Sequence, residues 1–546
     1  MTPRTPRTNG RDAESPGEER ALRIAAIDVG SNSIRQVVAD VSPRGTISVV
    51  DELKATPRLG VGVQATGALA PDAMRRALDS LGRMATLARQ LRADRIAAVA
   101  TSAVREARNG AEFQERVRAE TGLDLRILEG AEEARLAFRS ALTHFELTDG
   151  PAVVMDIGGG SLELALSAGG VLDQLLSFPL GAITLTEEFL SGGTSRRDVE
   201  RLRKKVRRAL REAMSAREWH GAMLIGSGGT FTALAAMWLA RRGLTAARTV
   251  HATAVPREKL ELLLEYLMEL TPAERAQVPG LSAARAEIIV AGLAVAAEVA
   301  ARIEAREVVA SAYGIREGLL LESAQVPPST AYSGRTRERS VRAFAERCRF
   351  EAPHAKQVRM LALQLFDQLG PRLGCTPADR LTLADAALLH DVGYHVNYAK
   401  HHKHSYHLIV HADLLGVSPE EQVVIANVAR YHRGTPPKRK HEGFAVLDAA
   451  GRARVRRLAA LLRVADGLDR GHVSAVERVH VRRADDGALE ISATPHPVAG
   501  QCHLELWGAA RKSELLADVA GSPVRVVDAS GAEVTAEEDE REEAAR

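Results

Sequence analysis

Two short stretches of this chain hold the residue types that cradle phosphate, and they are near copies of each other. Ile27-Asp28-Val29-Gly30-Ser31-Asn32-Ser33-Ile34 and Met155-Asp156-Ile157-Gly158-Gly159-Gly160-Ser161-Leu162 share one pattern, with the two aspartates 128 positions apart. That pattern is apolar, Asp, apolar, Gly, two free positions, Ser, apolar. Glycine lets successive backbone N–H groups turn inward, serine adds a hydroxyl, and an aspartate at a strand end holds a cation against phosphate oxygens, directly or through water. One Asp-x-Gly tripeptide reads as an ordinary turn, whereas repetition at domain spacing points to a two-walled site for a phosphate chain with Mg2+. A third loop, Gly226-Ser227-Gly228-Gly229-Thr230, lies where a strand meets a helix. Anion binding and close backbone packing explain its glycines equally well.

The elements that must position these loops are hairpins. Strand-like runs enter at Arg23 to Ile27 and Ala152 to Met155 and leave at Ile34 to Val41 and Leu162 to Leu166, which predicts each loop at a hairpin tip and an α/β fold. A break at Leu147-Thr148-Asp149-Gly150-Pro151 separates two such units, 21–147 and 148–325, and a Pro/Ser/Thr/Gly/Arg stretch from Val326 to Arg339 reads as a linker. Residues 340–476 are almost wholly helical in pattern, 477–531 alternate like a small α+β unit, and the ends, 1–20 and the acidic 532–546, read as tails without core-forming residues.

At 546 residues with 45% hydrophobic, the chain needs several cores and is not a disordered protein. The apolar run Ile288 to Ala301 is interrupted by Glu298 and is too short for a bilayer, so it predicts a buried helix; the first twenty residues lack the apolar stretch of a signal peptide. Three scattered cysteines, Cys348, Cys375 and Cys502, cannot make a disulfide framework, and a cytoplasmic location is expected. The net charge of +3 does not imply nucleic-acid binding. Basic clusters at Arg196 to Arg211, Lys438-Arg439-Lys440-His441 and Arg452 to Arg457 read either as solvated helix faces or as a track for a polyanion.

Five ordered motifs resemble one family. Ala26 to Arg35, Ala100-Thr101-Ser102-Ala103-Val104-Arg105-Glu106-Ala107, Leu128-Glu129-Gly130-Ala131-Glu132-Glu133-Ala134-Arg135-Leu136, Asp156 to Leu164 and Tyr313-Gly314-Ile315-Arg316-Glu317-Gly318 together resemble the exopolyphosphatase and guanosine pentaphosphate phosphohydrolase family. The resemblance covers about Arg23 to Ser323 and implies duplicated actin-like, ribonuclease-H-type domains with the active site between them. It implies Glu133 as the base that deprotonates the attacking water and Arg105 as a clamp on a phosphoryl oxygen. It further implies Asp156 as the Mg2+ anchor with Asp28 and Glu163 nearby, and Ser31, Asn32, Ser33, Gly158, Gly159, Gly160 and Ser161 around the phosphates. Without the resemblance, Glu132 and Glu133 read as acidic residues stabilising a helix N-terminus. Two departures stand out: Leu follows Ser161 where the family has Thr before the Glu, and Glu129 adds negative charge close to the proposed site.

What the resemblance implies is an exopolyphosphatase releasing terminal orthophosphate from inorganic polyphosphate. Hydrolysis of the 5′-terminal phosphate of guanosine pentaphosphate is the nearest rival, a non-catalytic polyphosphate or nucleotide sensor the rival from another class, and a kinase is disfavoured. A homodimer is expected, with no specific nucleic-acid or membrane partner. The order His354, His390-Asp391, His404, His432, Asp466 also resembles an HD-type phosphohydrolase domain. In such a domain His and Asp from several helices converge on one or two divalent metals.

Overall fold

The structure, a computed structural model, describes residues 21–535 apart from 44, 148, 245–248, 328–335, 413 and 415. The expected N-terminal tail, residues 536–546 of the expected C-terminal tail and most of the expected linker lie outside the described residues; Val534, inside the expected C-terminal tail, is buried in an apolar cluster. Apolar and β-branched runs form β1 (Leu22–Val29), β2 (Ile34–Val41), β3 (Ile47–Ala55), β4 (Arg95–Ala100) and β5 (Leu125–Ile127), in the sheet order β3-β2-β1-β4-β5. Helices Pro71–Gln90 and Gly110–Thr121 cover one face of that sheet. The second sheet holds β6 (Pro151–Ile157), β7 (Leu162–Ala168), β8 (Val171–Phe178), β9 (Met223–Ser227), β10 (Thr253–Pro256) and β11 (Glu307–Ala310), in the order β10-β11-β9-β6-β7-β8. In both sheets an antiparallel hairpin is joined to a parallel neighbour, so the two glycine loops occupy equivalent hairpin tips.

Register then decides which side chains accompany the aspartates. Asp28 lies opposite Arg35, and Asp156 lies opposite Glu163. Cross-strand partners project to the same face of a sheet, so each aspartate brings a second charged group to its loop.

Two helices cross between the units. Helix Gly130–His144, in the first unit by sequence, packs Ala134, Ala137, Phe138 and Ala141 on β6 and β7 of the second sheet. Helix Ile315–Ser323 returns to the first sheet and packs Leu319, Leu320 and Leu321 against Ile24, Ala26 and Val37. Where they cross, the carbonyl of Leu136 lies 2.1 Å from where a Cβ on residue 318 would stand, so only glycine fits at Gly318.

The apolar run forms the buried helix Ile289–Arg302, and no helix among the described residues is long and apolar enough to cross a membrane. Its interrupting residue, Glu298, is 4% exposed and anchors the basic helix Arg196–Ala213. Arg203 binds Glu298 at 2.6 Å and Glu261 at 2.8 and 2.9 Å, Arg207 binds Glu298 at 2.9 and 3.0 Å, and Lys205 binds Glu188 at 2.5 Å. Part of this basic cluster therefore holds a helix to the core.

The third unit is built from helices Thr336–Arg347, Ala352–Leu369, Pro377–Leu389, His401–Val410, Pro419–Arg430 and Ala449–Gly467. The small sheet β12 (Val476–Arg483), β13 (Leu489–Pro495) and β14 (Val524–Val526) follows, with helices His503–Ala510 and Glu514–Ala520. Val479, Ile491, Leu506, Leu516 and Val526 join the same apolar cluster as Leu361, Leu389 and Leu461, so 477–531 shares the helical core. All three cysteines are free thiols.

Removing the buried acceptor breaks both guanidinium pairs, but Arg203 keeps Glu261 and Arg207 is partly solvated, so the loss falls below the about 3–5 kcal/mol of a fully buried pair. Glu298→Ala should lower the melting temperature by roughly 5 °C or more, whereas Arg208→Ala, on the exposed face of the same helix, should change it by no more than about 1 °C. Calorimetric scans of the two variants beside the parent decide this; equal shifts would show that Glu298 is no anchor.

Candidate active site and a second side-chain cluster

Both phosphate-type loops close by the same backbone bond, Gly30 N to Ser33 O at 3.1 Å and Gly158 N to Ser161 O at 3.0 Å. The loops meet across the gap between the units. A side chain on Gly159 would begin 2.7 Å from Ser31 Cβ, so its absence is what allows the two walls to approach. The cleft they form is lined by Asp28, Ser31, Asn32, Ser33, Glu133, Asp156, Gly158, Gly159 and Glu163. Gly160 and Ser161 lie behind this lining: Gly160 is packed on Ser102 and accepts the Gly181 N–H at 3.0 Å, and Ser161 is 4% exposed.

The acidic pair at the start of helix Gly130–His144 divides its work. Glu132 turns back to accept the Glu129 N–H at 2.9 Å, completing a capping box, whereas Glu133 is 3% exposed and faces the cleft. Glu129 itself is an exposed N-cap and adds no charge to the cleft lining. Arg105 donates to Glu133 Oε1 at 2.5 Å and to Leu128 O at 2.5 Å. It thus holds the proposed base, and in this state it is not the free phosphoryl clamp that its motif suggested.

Burial dominates the electrostatics. It pushes the Asp28 and Asp156 carboxyls up to about 6, against the pull of Arg316 on Asp28 and of the Ser227 hydroxyl on Asp156. It pushes Glu133 to about 8 despite Arg105, and Glu163, next to Glu133, well above the usual range. Desolvation of an anion without a matching cation has this signature, and one oxygen of Asp28 is buried without any hydrogen-bond partner. The donor set fits Mg2+. Among the described residues, however, Asp28, Asp156 and Glu163 do not bring three ligand oxygens within 4.8 Å of one another, so they suit an ion that keeps several waters and shares the substrate's oxygens.

Sequence reasoning missed the cationic floor of this cleft. Arg35, Arg285 and Arg316 line it. Arg285 is lowered to about 10, by burial first and then by its neighbour Arg35, as expected of cations awaiting an anion. Arg35 and Arg316 sit within recognised motifs and were open to assignment. Arg285 comes from a short turn, Ala283–Arg285, with no signal around it, and its guanidinium fills the space beside Gly229, so the third glycine loop packs against a cation.

In the helical unit, five of the six expected residues converge. His354 Nε2, His390 Nε2 and Asp391 Oδ2 lie 3.3–3.7 Å apart, with Asp466 Oδ1 at 3.6 and 3.7 Å from the two histidines. Asp391 Oδ1 forms a second group with the Nε2 atoms of His401 and His432, at 3.3 and 3.4 Å, the two nitrogens being 3.4 Å apart. His401 therefore takes the place expected for His404. The helix begins at His401, which points inward, and His404, a turn further on, is only half-buried and belongs to neither group.

The other nitrogen of each inward ring is already engaged. His354 Nδ1 meets Asp469 at 2.8 Å, and His390, His401 and His432 meet the carbonyls of Ala387, Tyr398 and Ala429 at 2.7, 3.1 and 2.6 Å. Acceptors there fix the tautomer and leave each Nε2 lone pair facing the cluster, the arrangement found around metal ions. Asp391 Oδ1 is buried with no hydrogen-bond partner, and the residues fit two divalent ions sharing one carboxylate.

Comparison with known proteins follows the same division. Residues 37–326 match the profile of the Ppx/GppA phosphatase family, and residues 336–511 match that of Ppx/GppA phosphatase, domain III. A crystal structure of an exopolyphosphatase from Cytophaga hutchinsonii is 25% identical, with a TM-score of 0.51, over 56% of this chain and 100% of that one. An exopolyphosphatase-like protein is 26% identical, with a TM-score of 0.52, over 56% of this chain and 99% of that one. The Aquifex aeolicus member of the Ppx/GppA family is 27% identical over 56% of this chain and 98% of that one, with a TM-score of 0.49.

The raised carboxyl of Glu133 makes a stability prediction with a definite sign. The folded protein resists ionising Glu133 until about pH 8, whereas the unfolded chain ionises it near 4.5. The resulting penalty is absent below 4.5, grows with pH up to about 8 and is constant above. Without Mg2+, Glu133→Gln should therefore melt above the parent at pH 8, with the advantage vanishing towards pH 4.5. A variant that melts lower than the parent at pH 8 would identify Glu133 as a structural residue.

Proposed function

The chain belongs to the Ppx/GppA phosphatase family, and from that premise we propose that its cleft releases the terminal orthophosphate of inorganic polyphosphate by Mg2+-assisted attack of water. The observation that carries this reading is Glu133, a buried carboxyl with a raised proton affinity, held by Arg105 where the two phosphate-type loops meet. A general base works best with an affinity near the operating pH. The loop N–H groups and the hydroxyls of Ser31 and Ser33 orient the terminal phosphoryl group, and Glu133 takes a proton from the water that adds to phosphorus. As the new P–O bond forms, the bridging P–O bond breaks and the shortened chain leaves as the anion. Arg35, Arg285 and Arg316 stabilise charge on the phosphates behind the reacting one. Bound Mg2+, near Asp156 and Asp28, would neutralise oxygens that these cations do not reach.

Polyphosphate is favoured over guanosine pentaphosphate by the character of the walls. The floor offers a run of cations, and the aromatic residue among the lining, Tyr313, already stacks one face on His144 at 4.0 Å. A cytoplasmic homodimer and a divalent transition metal at the Asp391 cluster belong to the same proposal, since four imidazoles and two carboxylates suit Mn2+, Fe2+ or Zn2+ better than Mg2+.

Phosphate release from long polyphosphate and from guanosine pentaphosphate, with Mg2+ and purified protein, tests the substrate assignment; a higher kcat/KM for the nucleotide would reverse it, and release from neither would favour the sensor reading. In the same assay Glu133→Gln should lower kcat by about 10^2-fold or more with KM nearly unchanged. Asp156→Ala should abolish the Mg2+-dependent part of the rate; unchanged Mg2+ dependence would remove it from the metal site.

A further inference from the structure

The cations lining the cleft continue past it, across the first sheet. We propose that Lys54, on the outermost strand, is a specificity-determining residue for the same reaction: it binds the polyphosphate chain beyond the cleft and so makes the enzyme favour long chains over short ones. This rests on reading the cleft as the polyphosphate site.

Strand register builds the row. Asp28 on β1 lies opposite Arg35 on β2, and Arg35 lies opposite Lys54 on β3. Cross-strand partners project to one face, so the three side chains form a line that runs from the first phosphate-type loop to the edge of the sheet. Neighbouring strands lie about 4.8 Å apart, which places the backbone of Lys54 about 10 Å from that of Asp28. Lys54 is exposed and stands outside the cleft lining, to which Arg35 belongs. A phosphate held by Lys54 is therefore not the one being released but one further along the chain.

A lysine on an edge strand ordinarily needs no ligand, since its charge wards off pairing with another strand. Lys54 differs in its company. The packing around its ammonium lowers its proton affinity first, and Arg35 from the neighbouring strand and Arg285 from the second unit lower it further. Arg35 feels Asp28, and Arg285 feels Asp156. Lys54 has no such relief. Glu52, two positions back on the same face, is paired with Arg316 at 3.7 Å, and among the described residues Lys54 has no ion-pair partner.

An anion drawn out along the row supplies the missing counter-charge. Polyphosphate repeats its charge at every unit, so a chain whose end is held at the two loops presents further anionic oxygens to Arg35, Arg285 and then Lys54, each as a charge-assisted contact. A diphosphate ends before it reaches the edge strand. The outermost cation thus acts on long chains and is idle with short ones.

The test uses the full chain carrying Glu133→Gln, which suppresses turnover, titrated calorimetrically in Mg2+ with long-chain polyphosphate and with pyrophosphate. Adding Lys54→Gln should raise Kd for long polyphosphate about tenfold, as the loss of one charge-assisted hydrogen bond does, and change Kd for pyrophosphate by less than about twofold. For the long chain it should also lower the slope of log Kd against log salt by up to about one, and Lys54→Arg should restore both. With Glu133 in place, Lys54→Gln should raise KM for long polyphosphate by a similar factor and leave kcat unchanged, the mark of a contact made equally in ground and transition states. Lys54 is exposed on an edge strand, so these variants are expected to fold. No binding of long polyphosphate by the Glu133→Gln chain overturns the reading of the cleft and this proposal with it. Binding of long polyphosphate that Lys54→Gln leaves unaltered, or an equal loss for both ligands, overturns the proposal alone.

Discussion

Like charges held together away from water are the constraint around which the two-sheet part of this protein is organised. Asp156, Glu133 and Glu163 are buried and Asp28 is half-buried where the two walls of a narrow cleft meet, and each is held away from its ionised form chiefly by desolvation. Such a cluster persists only where the surrounding elements overdetermine its position, and here two complete sheets do so from opposite sides. The stored unfavourable energy is also what gives the cleft its appetite for cations. A divalent ion and a polyanion arriving together would satisfy both the carboxylates and the cations Arg35, Arg285 and Arg316 that share the cleft.

The helical unit solves a related problem by different means. Its Asp391 and Asp466 face imidazoles, each fixed by an acceptor on its far nitrogen, so the donor atoms are prearranged before any ion binds. Mg2+ tolerates loosely held oxygen ligands shared with substrate and water, whereas nitrogen-rich pre-oriented donors suit ions that bind the protein firmly. The two clusters thus differ in donor chemistry, oxygen in the cleft and nitrogen with oxygen in the helical unit.

Much of this was legible in the residues themselves. The hairpins, the buried helix around Ile289–Arg302 and the helical unit follow from apolar periodicity and loop residues, because short-range pattern determines them. The duplicated loops placed Asp28 and Asp156 correctly at the cleft. What pattern could not supply was convergence between distant segments. Arg285 reaches the cleft from a turn with no motif of its own. His401 and His404 lie on the same helix and differ only in where it starts, a boundary that periodicity leaves uncertain by a few residues. The basic helix Arg196–Ala213 read either as a solvated face or as a polyanion track, and its anchoring role was hidden because its partners Glu261 and Glu298 lie far along the chain.

The crossed helices have a mechanical consequence. Glu133 rides on a helix seated on the second sheet, while Arg105 belongs to the short helix Ser102–Glu106 beside the first. The two bodies are in tight contact where Leu136 and Gly318 cross, one turn from Glu133. The ion pair of Arg105 and Glu133 therefore spans the seam between the two bodies, so the proton affinity of this carboxyl depends on how closely the walls are held together.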